Sequence, residues 1–187
     1  IDDIYVDDST ALTYPGAIRV TAKRPNANGT TNGFTTQIGA GGSGYGSGHS
    51  PQVNEQPLSE TNGWSHVVVA SAITEEYAIE NAATGDVNIT GATIKDVTGW
   101  CWAKALVSET GQLKVAGTTG NIALTSTPTM FFRSDGSTTY PAGGTDVGII
   151  TATTATTVSL YECGIHIAYI PAAAQPSRRR MLRGVGR

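Results

Sequence analysis

Between Trp100 and Ser108 the chain alternates with a period of two. Cys101, Ala103, Ala105 and Val107 fall on one face of an extended backbone, and Trp100, Trp102 and Leu106 on the other. A helix would scatter these two sets around its circumference. Both sets are apolar, so the segment is expected to be an interior strand of a sandwich, not an edge. A second long alternation runs from Val158 to Ile170. Cys163, Ile165 and Ile167 face one way, Glu162, His166 and Ala168 the other, and Pro171 stops the run.

Shorter strand signals fill the rest. Ile4-Tyr5-Val6 predicts one, and Ile18 to Ala22 another, with Ile18, Val20 and Ala22 on one face. Phe34 to Ile38, Trp64 to Ile73, Tyr77-Ala78-Ile79, Asp86 to Ile94, Thr129 to Arg133 and Gly148 to Thr151 follow. Arg24-Pro25-Asn26-Ala27-Asn28-Gly29 and Ser134-Asp135-Gly136-Ser137 carry turn chemistry. Ser108-Glu109-Thr110-Gly111 reads as a turn with Leu113-Lys114-Val115 returning, which predicts a hairpin with the Trp100 strand. Many short strands with glycine-rich connections predict an all-β fold, an antiparallel β-sandwich or jelly roll with a long glycine-rich loop and extended termini.

Composition agrees. Only 14% of the 187 residues are charged, against about a quarter in ordinary globular chains, and 23 are glycine. The surface must be built from Thr, Ser, Asn and Gly, as in extracellular β-proteins and particle proteins. The length suits one core. The expected organisation is an N-terminal arm and first strand over 1–23 and a Pro/Asn/Gly-rich loop region over 24–63. These form one domain with a sandwich core over 64–171, followed by a basic tail over 172–187. The chain opens inside an apolar run without Met, from which residues upstream of Ile1 are expected.

Gly39 to Gly48 contains a formal G-x-G-x-x-G at Gly39, Gly41 and Gly44. A dinucleotide site needs a strand before that motif and a helix after it, and here Gly48-His49-Ser50-Pro51 follows. The segment reads instead as a surface loop that is either mobile or ordered only by a neighbouring subunit. Net charge is −3, with five of the twelve basic residues (Arg178, Arg179, Arg180, Arg183 and Arg187) at the end. No aromatics interleave with them, which argues against a nucleic-acid stacking platform.

Catalytic patterns are not found. His49, His66 and His166 lack a neighbouring nucleophile with the geometry of a triad, and His166 reads as a strand or rim histidine. Asp2-Asp3 and Asp7-Asp8 point to opposite faces if extended, which spoils a simple calcium site. Cys101 and Cys163 are two thiols or one bridge, not a disulfide framework. No apolar run is long enough for a membrane helix. Asn28-Gly29-Thr30 and Asn88-Ile89-Thr90 match the glycosylation pattern. No catalytic residue, metal ligand or cofactor is assigned.

Three segments carry a resemblance. They are Ile1-Asp2-Asp3-Ile4-Tyr5-Val6-Asp7-Asp8 with Gly16-Ala17-Ile18-Arg19-Val20; Arg24 to Gly29 with Phe34-Thr35 and Val53-Asn54-Glu55-Gln56-Pro57; and Ile94-Lys95-Asp96-Val97 leading into Trp102-Ala103-Lys104-Ala105. Together they resemble a group of tailed-bacteriophage structural proteins, in which a laminin-G or concanavalin-like domain precedes such segments. The resemblance implies a virion component, extracellular, that self-associates or decorates capsid or tail. Its partners would be further copies and other virion proteins, without nucleic acid or membrane. Ile4, Tyr5, Val6, Tyr45, Arg178, Arg179 and Arg180 are the expected assembly contacts. The alternative is a lectin-like module for host surface glycan, with Tyr45 and Trp64 stacking on sugar. Trp100 and Trp102 are expected to be packed.

Overall fold

The computed structural model describes residues 18–38, 53, 63–68, 71–141, 144–152 and 156–172. Every regular element among them is a strand: β1 (Arg19–Lys23), β2 (Pro25–Asn32), β3 (Thr36–Ile38), β4 (Gly63–Val68), β5 (Thr74–Ile79), β6 (Thr93–Ala105), β7 (Glu109–Val115), β8 (Thr118–Leu124), β9 (Thr129–Ser134), β10 (Asp146–Ile150) and β11 (Thr156–Ile170). They form two antiparallel sheets. The first has the order β3-β4-β11-β6-β9, with β1 also paired to β11; the second runs β2-β5-β10-β7-β8. The chain is an antiparallel β-sandwich.

β11 is the spine of the first sheet. Its first half pairs with β4, its second half with β1, and nearly all of it with β6. The alternations seen in β6 and β11 explain this. Cys163, Ile165 and Ile167 turn inward from β11, and Val97, Cys101, Ala103 and Ala105 from β6, all buried. Opposite them stand Tyr77, Ile79, Leu113, Val115, Val147 and Ile149 of the second sheet. The inward face of β6 is made of small residues, which leaves room for the larger ones across the gap. At Gly99 a Cβ would come within 2.2 Å of Val115 Cγ2.

Several expectations need correction. β6 and the chain after Ser108 are not a hairpin, because they belong to different sheets. The amides of Leu106 and Val107 bond to Thr157 O and Thr156 Oγ1 at the start of β11, and the chain then crosses the sandwich. The tight hairpin lies one strand later, between β7 and β8, a strand without a clear sequence signal. Its turn is Ala116-Gly117, with φ of 50° and 82°, the double positive φ of a type I′ turn.

Residues 24–29 are not a free turn. Pro25 starts the irregular edge strand β2, where its missing N–H costs no ladder bond. Residues 86–92 hold turns instead of a strand. In β1 the apolar set is turned outward, with Val20 54% exposed, while Thr21 and Lys23 point in. Lys23 is completely buried because its Nζ donates to Thr84 O and to Val87 O, the latter at 2.7 Å. Burial lowers its pKa, opposed by the carboxylates of Glu80 and Asp86. The strands predicted at 4–6 and the loop at Gly39 to Gly48 lie outside the described residues.

Candidate aromatic face

Residues on the two sheets alternate between core and exterior, so each sheet presents an outer face. That of the second sheet is polar and bonded to itself. Lys114 Nζ reaches Glu76 Oε1 at 2.5 Å, Gln112 Nε2 donates to Asn121 Oδ1 at 3.2 Å, and Thr30 Oγ1 donates to Asp146 Oδ2 at 2.7 Å.

The outer face of the first sheet is different. The ladders place its side chains in rows across β9, β6 and β11. Met130, Trp102 and Glu162 form one row; Phe132, Trp100 and Gly164 form the next; Ser134, Thr98 and His166 form the third, continued by Ala22 of β1. Trp100, Trp102, Met130 and His166 are half-buried, and Phe132 is 58% exposed. Ring centroids of Trp100 and His166 are 5.9 Å apart, and those of Phe132 and His166 6.3 Å. These spacings suit tilted aromatic contacts.

Gly164 explains how Trp100 lies. It stands directly opposite Trp100, and a Cβ there would meet Trp100 Cζ2 at 2.8 Å and Lys23 O at 3.0 Å. The indole therefore rests on bare backbone. Its Nε1 is buried without a hydrogen-bond partner among the described residues. At the next row β11 bulges, with Tyr161 as the extra residue between Leu160 and Glu162. The bulge brings the Tyr161 ring 5.4 Å from that of Trp102 and under Lys104 Nζ, 5.5 Å from the centroid.

Polar groups border the aromatic rows. Thr98 and Ser134 both donate their hydroxyls to Asp96, one to each carboxylate oxygen. Burial pushes the His166 pKa below its ordinary 6.5, so the ring is neutral at neutral pH and keeps one donor and one acceptor nitrogen.

This site is not the one expected from the sequence. Trp100 and Trp102 were expected to be packed; both face away from the inter-sheet core. The usable signal was the contrast within β6, where Gly99, Cys101, Ala103 and Ala105 are all small. A small-residue face fits a core with large partners and leaves the tryptophans outside. Of the residues expected to bind, Ile4, Tyr5, Val6, Tyr45, Arg178, Arg179 and Arg180 lie outside the described residues. Trp64 lies in β4, its backbone opposite Leu160 and Gln37, and its side chain is outside the described part. Among the described residues no three His, Cys, Asp or Glu side chains are grouped as a metal site, and no helix is long and apolar enough to cross a membrane.

No protein-family model matches the chain, and no curated protein matches it significantly. Among solved structures it is similar to the CBM36-1 domain of a multidomain xylanase from the hindgut metagenome of Trinervitermes trinervoides. The identity is 10%, over 80% of this chain and 96% of that one, with a TM-score of 0.39. At that score the likeness bears no weight, and the sandwich assignment rests on the strand ladders themselves.

Proposed function

We propose that the chain is a lectin-like carbohydrate-binding module, and that the outer face of the β9-β6-β11 sheet is its binding surface. The observation that carries this reading is the row Phe132–Trp100–Gly164, an open ring beside an indole laid on glycine backbone. The C–H-rich face of a pyranose packs against such rings, while its hydroxyls need donors and acceptors at the border. Asp96, Thr98, Ser134 and His166 supply these. An exposed apolar patch rimmed by polar groups is a common mark of a binding surface. Host surface glycan is the ligand class this reading favours.

The test is native electrophoresis through gels holding soluble polysaccharides of differing backbone, alongside a glycan array. Retardation by at least one polysaccharide, abolished in a Trp100→Ala/Phe132→Ala variant that keeps its fold, is the expected result. Unchanged mobility in every gel together with a silent array contradicts it.

A second reading is a self-associating virion component. It is supported by the resemblance of the three short segments and by one structural observation. Leu106 and Val107, at the turn between β6 and β7, are 71% and 57% exposed. In this reading copies pack through that tip. Sedimentation should show concentration-dependent assembly that Leu106→Ser/Val107→Ser weakens; a monomer at every concentration contradicts it.

A further inference from the structure

We infer that Cys101 and Cys163 form a disulfide across the two central strands when the chain folds under oxidising conditions. The two residues stand directly opposite each other on antiparallel β6 and β11, and both point into the core. Opposed residues in such a ladder are either hydrogen-bonded pairs or closer, non-hydrogen-bonded pairs, with Cα atoms about 4.5 Å apart in the latter. Two backbone bonds decide which kind this is.

The Cys163 amide points to Val53 O, at 3.5 Å, on the side of β11 away from β6. On β6, the Ala105 amide points to Thr125 O, away from β11, whereas that of the next residue, Leu106, reaches Thr157 O. Amide direction alternates along a strand, so Cys101, four residues before Ala105, also turns its N–H away from β11. Both thiols thus occupy a close, non-hydrogen-bonded site. The Cα separation of such a site falls within the range that a disulfide spans, roughly 4.4–6.8 Å.

The cysteines are free in the structure, and in the folded chain they are poor nucleophiles. Burial raises both thiol pKa values, that of Cys101 to about 12, and at Cys163 the nearby Cys101, Glu75 and Glu162 oppose ionisation further. Exchange therefore takes place before the two sheets close. One cysteine thiolate attacks a small-molecule disulfide such as oxidised glutathione and displaces a glutathione thiolate. The second cysteine thiolate then attacks the mixed disulfide and displaces the other. The protein loses two protons and two electrons, and the glutathione disulfide gains the electrons as two thiols. The bond closes a loop of about sixty residues, long enough for the constraint on the unfolded chain to be substantial.

The test is refolding of the full chain from denaturant in a mixture of oxidised and reduced glutathione. Thiols are then counted in denaturant, with mass spectrometry of the intact and digested protein. The expected product is a monomer lighter by two hydrogen atoms, without titratable thiols, giving one Cys101–Cys163 linked peptide. Its thermal midpoint should fall on addition of reductant, and a Cys101→Ala/Cys163→Ala variant should lose that dependence. Chain that refolds with two free thiols at every glutathione ratio overturns the inference, as does a bond between two chains. The thiol count of the unsubstituted chain decides the matter even if the variant does not fold.

Discussion

Two buried charged side chains show how individual residues trade solvation against partners. Lys23 is tolerated inside because two backbone carbonyls of the 81–91 loop receive its ammonium. A charged donor bonded to buried acceptors contributes about 1.5–3 kcal/mol, and removing it leaves the acceptors unmet. Lys23→Met should lower the thermal midpoint by roughly 4–8 °C and speed amide exchange at Ile89, whose N–H bonds to Ala82 O across the base of that loop. Glu109 is the opposite case. Both of its carboxylate oxygens are buried without a well-formed hydrogen bond, and burial raises its pKa above 4.5, with the nearby Ala152 amide opposing the shift. A carboxyl whose folded pKa is raised contributes stability below its unfolded pKa and loses it as pH rises through the folded value. Glu109→Gln should therefore be more heat-stable than the unsubstituted chain at pH 7. The advantage should vanish near about pH 4, where both side chains are neutral. Melting curves across that range check the sign. A midpoint difference that does not change with pH would show that the Glu109 charge carries no penalty.

Among the elements, β6 decides most. Its alternation was legible from sequence, and so was that of β11, because each has a run of side chains long enough for a period of two to stand out. Which face of β6 meets the core was signalled within the strand only by the small size of Gly99, Cys101, Ala103 and Ala105. It depends on Val115 packing against Gly99 and on Gly164 lying under Trp100, contacts between residues distant in sequence. β1 misled for the same reason: Ile18, Val20 and Ala22 look like a core face until Lys23 is seen to have partners some sixty residues away. The β6–β7 hairpin failed because a turn sequence specifies a reversal, not the sheet that the returning strand joins. Two substitutions probe the elements. Ala116 holds a φ of 50° in the β7–β8 turn, where Asn is far better suited than Ala. Ala116→Asn should stabilise by about 0.5–1 kcal/mol in denaturant titration; a destabilised variant would contradict the type I′ assignment. Gly164→Ala should lift the Trp100 indole off the sheet, visible as a change in near-ultraviolet circular dichroism. An unaltered tryptophan signal would mean that the indole does not rest on Gly164.

At the scale of the whole molecule the sandwich is asymmetric. One outer face is polar and internally bonded, whereas the other carries Trp100, Trp102, Met130 and Phe132 in adjoining rows. Fold class was accessible from sequence because it follows from periodicity and turn chemistry. The proposed binding face was not, since Phe132 and Trp100 come together only through the β6–β9 ladder. In the proposed reading binding belongs to the aromatic side of the molecule, and the two sides can be compared in one experiment. The measurement is a depletion isotherm on an insoluble polysaccharide that retains the unsubstituted chain, repeated with Phe132→Ala and with Gln112→Ala on the polar face. Loss of roughly tenfold in affinity, about 1.4 kcal/mol, for Phe132→Ala with an unchanged melting midpoint, and no change for Gln112→Ala, is the predicted result. Equal affinity for all three proteins, or loss only from the polar face, would contradict it.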